Sequence, residues 1–215
     1  MSTLNRLGFL LFTVFLLASC KEKKKPSMSG DEQVQVNDFI DFFQTLKPPV
    51  QFGDTLLLKK EKDSLLISHK VFTQFIPDSV FRPVFAKGVK PKIYSIGKVV
   101  SKDGETYLFL KALLNDKKAM YVVVVDKKHK FLAAMTALRM DQSNITRQSL
   151  SVDRSMGITK TIVRKNADRT ESEGKDVYVF EPDSRKFILV MTDALDEKPA
   201  ELLNHIDSLY RKQKY

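Results

Sequence analysis

Residues 119–135 read Ala119-Met120-Tyr121-Val122-Val123-Val124-Val125, then Asp126-Lys127-Lys128-His129-Lys130, then Phe131-Leu132-Ala133-Ala134-Met135. Two apolar runs, the first rich in β-branched residues, flank a short charged break. Runs of this length bounded by turn residues are strands. The break is too short for a parallel crossover, which needs a dozen or more residues, so the two strands are antiparallel neighbours. Neither run alternates apolar with polar. A strand of that kind is covered on both faces.

Working outward, strand-like runs recur with turn chemistry between them. They fall at 92–100, 105–114, 118–126, 130–138, 145–152, 157–164, 175–181 and 185–192. Asp103-Gly104 is a hairpin signal, and Asn115-Asp116 and Pro182-Asp183-Ser184 are further turn sets. The expectation is one antiparallel meander of about eight strands. Runs 145–152 and 157–164 carry Thr146, Arg147, Gln148, Lys160 and Arg164, so they read as half exposed or near an edge. Residues 165–174 read as a charged loop.

Helical spacing appears on either side of the strand region. Val36, Phe39, Ile40, Phe43 and Leu46 share one face of a helix over 36–46, which Lys47-Pro48-Pro49 ends. Asp38 and Asp41 lie off that face and read as solvated. Residues 55–58 and 65–68 read as a hairpin or loop. Ser68 caps a short helix over 69–76, and Asp78 caps a turn over 79–81. Leu202, Leu203, Ile206, Leu209 and Tyr210 form the apolar face of a C-terminal helix over 196–212, expected to dock on the sheet. The fold class is therefore α+β, with N-terminal helices and a C-terminal helix packed on the meander. An eight-stranded lipocalin-like barrel is the alternative. The division is a helical part over 36–90, a meander over 91–192 and the terminal helix, all in one globular domain over 36–215.

The chain begins with a short polar stretch carrying Arg6, an apolar run over 7–17, the small residues Ala18-Ser19, and Cys20. This is the layout of a secretory signal peptide. The apolar run is too short to span a bilayer, which takes about 20 residues. Leu17-Ala18-Ser19-Cys20 resembles the lipobox of bacterial lipoproteins. The resemblance covers residues 1–20 only. It implies cleavage between Ser19 and Cys20, an S-diacylglyceryl group on Cys20, and a fatty acyl group such as palmitate on the new amino terminus. Cys20 is the only cysteine in the sequence, so no disulfide is available. Residues 21–35 (KEKKKPSMSGDEQVQ) are nearly devoid of apolar side chains and read as a flexible basic tether. The residue after the lipidated cysteine is Lys21. Among lipoproteins an Asp there often signals retention at the inner membrane, so Lys21 points to the outer membrane, facing the periplasm.

The formal net charge is +10. Export, and the lack of a basic helical stripe or aromatic-basic interleaving, exclude nucleic acid as the partner. The partners expected are the membrane, through the lipid on Cys20, and an anionic envelope polymer or envelope protein. His69, His129 and His205 are isolated, so no metal site is expected. The sequence contains no nucleophile elbow, phosphate loop or dinucleotide fingerprint, and no cofactor is expected. Residues 151–157 (SVDRSMG) form the most polar hairpin connection and read as a surface turn or a site at one sheet end. The function read from the sequence is a lipid-anchored envelope protein acting as a non-catalytic binding or assembly module. The alternatives are a carrier of a small apolar ligand or lipid, and an envelope hydrolase.

Overall fold

The computed structural model of the protein describes residues 27–140, 146–166 and 169–193. Ser19, Cys20 and the expected C-terminal helix over 196–212 lie outside the described residues. Within them the chain is mostly antiparallel β, with a few short helices. The strands are β1 (Val50–Gly53), β2 (Leu66–Ile67), β3 (Lys92–Val100), β4 (Thr106–Leu114), β5 (Lys117–Val125), β6 (Phe131–Arg139), β7 (Thr146–Val152), β8 (Ile158–Lys165), β9 (Glu171–Glu181) and β10 (Lys186–Asp193).

The expected single meander divides after β6. Strands β3 to β6 form one sheet with β2 at its edge, in the order β2-β3-β4-β5-β6. Strands β7 to β10 form a second sheet with β1 at its edge, in the order β1-β7-β8-β9-β10. Among the described residues the edges β2, β6, β1 and β10 stay open, so the strands do not close into the alternative barrel. The division has a packing cause. Tyr107, Phe109, Met120, Val122 and Val124 make one face of the first sheet apolar, and the second sheet covers it with Leu150, Val152, Ile158 and Phe180. The opposite face carries Leu108, Leu110, Tyr121 and Val123. It is covered by Phe39 and Ile40 of helix α1 (Val36–Asp41), Val71 and Phe72 of helix α3 (His69–Phe75), and Phe81 of the 3-10 turn Asp78–Phe81. Strand β5 is thus buried on both faces, as its unbroken apolar run requires.

Several local readings change. Helix α1 stops at Asp41 instead of reaching 46, because residues 44–46 pair with β3. Leu46 N–H donates to Lys98 O at 2.8 Å, and Lys98 N–H donates to Gln44 O at 2.8 Å. Gly97 permits this approach, since a Cβ there would lie 2.6 Å from Leu46 Cδ1 and 3.0 Å from Gln44 O. Asp41 is not merely solvated: its carboxylate takes a 2.7 Å hydrogen bond from Lys98 Nζ. Residues Thr55–Leu58 form a short helix, α2, while Leu66–Ile67 pairs with β3. Glu171 to Gly174 belong to β9 and not to a loop. Strands β7 and β8 are half exposed but interior to their sheet, with β1 and β10 at its edges. Ser68 caps α3 as expected, its hydroxyl accepting from Val71 N–H at 3.2 Å.

Candidate anion site at the seam between the sheets

Alternation along β7 and β8 places every second side chain on the face turned toward the first sheet. That face begins apolar, with Leu150 and Val152 on β7 and Ile158 on β8. Continuing outward by the same period, it becomes polar: Gln148 and Thr146 on β7, Lys160 on β8, then Ile162. Opposite stand Thr136 and Arg139 near the end of edge strand β6, with Pro83 and Val84 alongside. Together these residues line a groove of about 460 Å³. An adjoining recess of about 360 Å³ shares Pro83, Val84 and Arg139 and adds Asp116, Lys117, Lys118 and Met140.

Gln148 ties the two sheets together where no strand ladder does. Its amide donates to Arg139 O at 3.0 Å and accepts from Arg139 N–H at 3.4 Å. Two buried hydroxyls are left over. Thr136 Oγ1 has no hydrogen-bond partner among the described residues, and neither does the hydroxyl of Tyr121, its cross-strand neighbour on β5. Burial pushes the Tyr121 phenol well above its ordinary range, so it stays a neutral donor. Burial also pulls the Lys160 ammonium below its ordinary value; the Asp176 carboxylate opposes this and the Arg139 charge reinforces it. Asp176 sits across the ladder on β9. It accepts from Thr192 Oγ1 at 2.6 Å and from the Tyr178 hydroxyl at 3.4 Å.

The residues singled out in the sequence lie elsewhere. His69 is half-buried, and its Nε2 lies 2.9 Å from Asp78 Oδ1. Asp78 therefore serves His69; it makes no side-chain cap on the following turn. His129 is a turn residue with φ of 61°, its Nδ1 2.9 Å from Asn37 Oδ1. His205 lies outside the described residues. The 151–157 connection is a self-contained turn. Asp153 Oδ1 accepts from Ser155 N–H, Ser155 Oγ–H and Gly157 N–H at 2.8, 2.7 and 2.9 Å. Burial acts to raise the Asp153 carboxyl, but those hydrogen bonds outweigh it and hold the group below its ordinary value.

Among the described residues no three His, Cys, Asp or Glu side chains gather at metal-binding range. Nor is any helix among them long and apolar enough to cross a membrane. The groove residues were missed in the sequence, because the polarity of β7 and β8 reads as ordinary half exposure. The period-two parity that groups Thr146, Gln148 and Lys160 with the core positions Leu150 and Ile158 was the available signal. No protein family, characterised protein or solved structure matches this chain.

Proposed function

We propose that the protein is a lipid-anchored, non-catalytic binding module of the bacterial cell envelope that presents the seam groove to an anionic envelope partner. Cys20 carries the lipid, and the outer membrane facing the periplasm is the location. The tether expected over 21–35 is shortened to the residues before 27, because Met28 and Val34 are buried in the core and Ser68 N–H donates to Met28 O at 2.8 Å. The fold that goes with this reading is α+β, with the segment 196–212 as a further helix over a sheet. The observation that carries the binding role is the pairing of a half-buried Lys160 with the Thr136 hydroxyl, unpartnered among the described residues, on opposite walls of one groove. Buried polar groups are ordinarily satisfied, and those that are not mark a strained or functional position. Arg139, Lys117 and Lys118 add positive charge at the same place.

The anchor follows from Leu17-Ala18-Ser19-Cys20. A single acyl chain holds only marginally, at about 0.8 kcal/mol per buried methylene, whereas several chains on one residue make release slow. Labelling with an alkyne fatty acid, followed by membrane fractionation, tests it. Wild type is expected to carry label and sediment with membranes, and Cys20→Ala to lose the label. Equal labelling of the two chains would rule out the anchor.

A further inference from the structure

We infer that the seam groove is a phosphoryl-binding site, with Lys160, Arg139 and Thr136 as its ligating residues. The inference deepens the binding role proposed above. It does not depend on Cys20 being lipidated, so failure of the labelling experiment and failure of this one are separate results.

Thr136 and Arg139 reach the groove from β6, and Lys160 reaches it from β8 in the other sheet. Lys117 and Lys118, at the start of β5, flank the adjoining recess. Donors thus approach from separate walls. A carboxylate offers two oxygens in one plane. A tetrahedral phosphoryl group offers three or more, directed to different sides, and matches donors that come from several walls. Arginine suits it because its planar fork can pair two oxygens at once, and lysine because it supplies a compact charge with three donors.

Energetics point the same way. Lys160 is held in a partly desolvated position with no hydrogen bond of its own among the described residues, and burial lowers its affinity for a proton. Its nearest carboxylate, Asp176, is engaged with Thr192 and Tyr178. A lysine kept in such a place costs the fold stability. A bound dianion would return that cost, because a charged hydrogen bond in a sheltered site is stronger than one in water. The Thr136 hydroxyl, sealed from solvent beside Tyr121, would gain by rotating toward the groove the acceptor that the described residues do not give it. Asp116 at the recess and Asp176 beside Lys160 are the opposing charges, and Lys160, Arg139, Lys117 and Lys118 outnumber them.

Isothermal titration calorimetry of the detergent-purified protein with inorganic phosphate, at constant ionic strength, tests the inference. Wild type is expected to bind one phosphate saturably. Lys160→Met is expected to weaken binding by about tenfold or more, as loss of a charged hydrogen bond does. Lys160→Arg is expected to stay within about threefold of wild type, because it keeps the charge. Thr136→Val is expected to weaken binding severalfold. Neither Lys160→Met nor Thr136→Val should impair folding, since each removes a polar group with no hydrogen-bond partner among the described residues, and a thermal melt verifies this. Displacement of phosphate by a short-chain phosphatidylglycerol would assign the natural group to a lipid headgroup. Displacement by glycerol 3-phosphate alone would assign it to a non-lipid phosphate. No binding by wild type, equal binding by Lys160→Met, or equally tight binding of glucuronate would overturn the inference.

Discussion

Lys111 lies in the middle of β4, fully buried, on the face that looks toward the second sheet. Its ammonium donates to Leu56 O at 2.7 Å, to Lys59 O at 2.6 Å and to Glu61 Oε1 at 3.1 Å. All three N–H groups are therefore used, and the Glu61 side chain is itself only 10% exposed. Replacing Glu61 by Ala leaves a buried ammonium without a counter-charge. Replacing Lys111 by Met leaves a buried carboxylate in the same state. Removing one partner of a buried pair costs about 3–5 kcal/mol. Replacing both together costs far less, because the desolvation of the two charges disappears with their attraction. The double variant Lys111→Met/Glu61→Gln is expected to recover at least about 2 kcal/mol relative to the sum of Lys111→Met and Glu61→Gln measured singly. Urea unfolding followed by circular dichroism reads this, since the sequence has no tryptophan to report by fluorescence. With a slope of about 2 kcal/mol per molar urea, Glu61→Ala and Lys111→Met each lower the midpoint by about 2 M. Losses below about 1 kcal/mol, or a strictly additive double variant, would refute the claim that the pair holds residues 55–61 to β4.

The same kind of contact fixes other outcomes. Lys160→Met is expected to stabilise the ligand-free fold by about 0.5–2 kcal/mol, measured by chemical unfolding, as removal of a strained functional group often does. Its pH dependence has a definite sign. Between the lowered folded value and the ordinary value of 10.5, the unfolded chain binds more protons at Lys160 than the native one. Wild-type stability should therefore gain a positive increment with rising pH across that window, and Lys160→Met should lose this increment. Gly97→Val drives a side chain into Leu46 and the Gln44 carbonyl, and is expected to cost about 1–3 kcal/mol, seen as a lower melting temperature. Strand β10 is an open edge that exposes Leu189, Val190 and Met191 at 47%, 57% and 55%. Val190→Lys is expected to leave stability within about 0.5 kcal/mol and to reduce concentration-dependent self-association by light scattering.

The strands from β3 to β8 and β10 were legible to within a residue because their signals are local. Asp103-Gly104 marks one hairpin, and the unbroken run 119–125 demands cover on both faces. The passage of the chain from Met140 into a second sheet was not legible in the same way. A link between two strands carries similar residues whether it joins neighbours in one sheet or passes to a second, and only the packing of Phe109 and Val122 against Leu150 and Ile158 decides between them. Strands β1 and β2 are too short to show a period. The shortened α1 has a cause far along the chain, in the bare Gly97. The groove was hidden for a related reason. Thr146, Gln148 and Lys160 each read as an ordinary half-exposed strand residue, and it is the fold that sets β6 and its Thr136 opposite them. Lys98 and Lys111, embedded in apolar runs, did carry a warning. A lysine flanked by Leu110 and Ala112 is a candidate for burial with its own set of acceptors.

The measurement closest to the central claim is a map of backbone amide shifts in the 15N-labelled, detergent-purified protein as inorganic phosphate is added at constant ionic strength. A phosphoryl site at the seam predicts saturable shifts concentrated at Thr136 to Arg139 on β6, Thr146 to Gln148 on β7 and Lys160 to Ile162 on β8, with smaller shifts at Lys117 and Lys118. Shifts spread evenly over the surface lysines, or centred on the charged turn over 126–130, would contradict it.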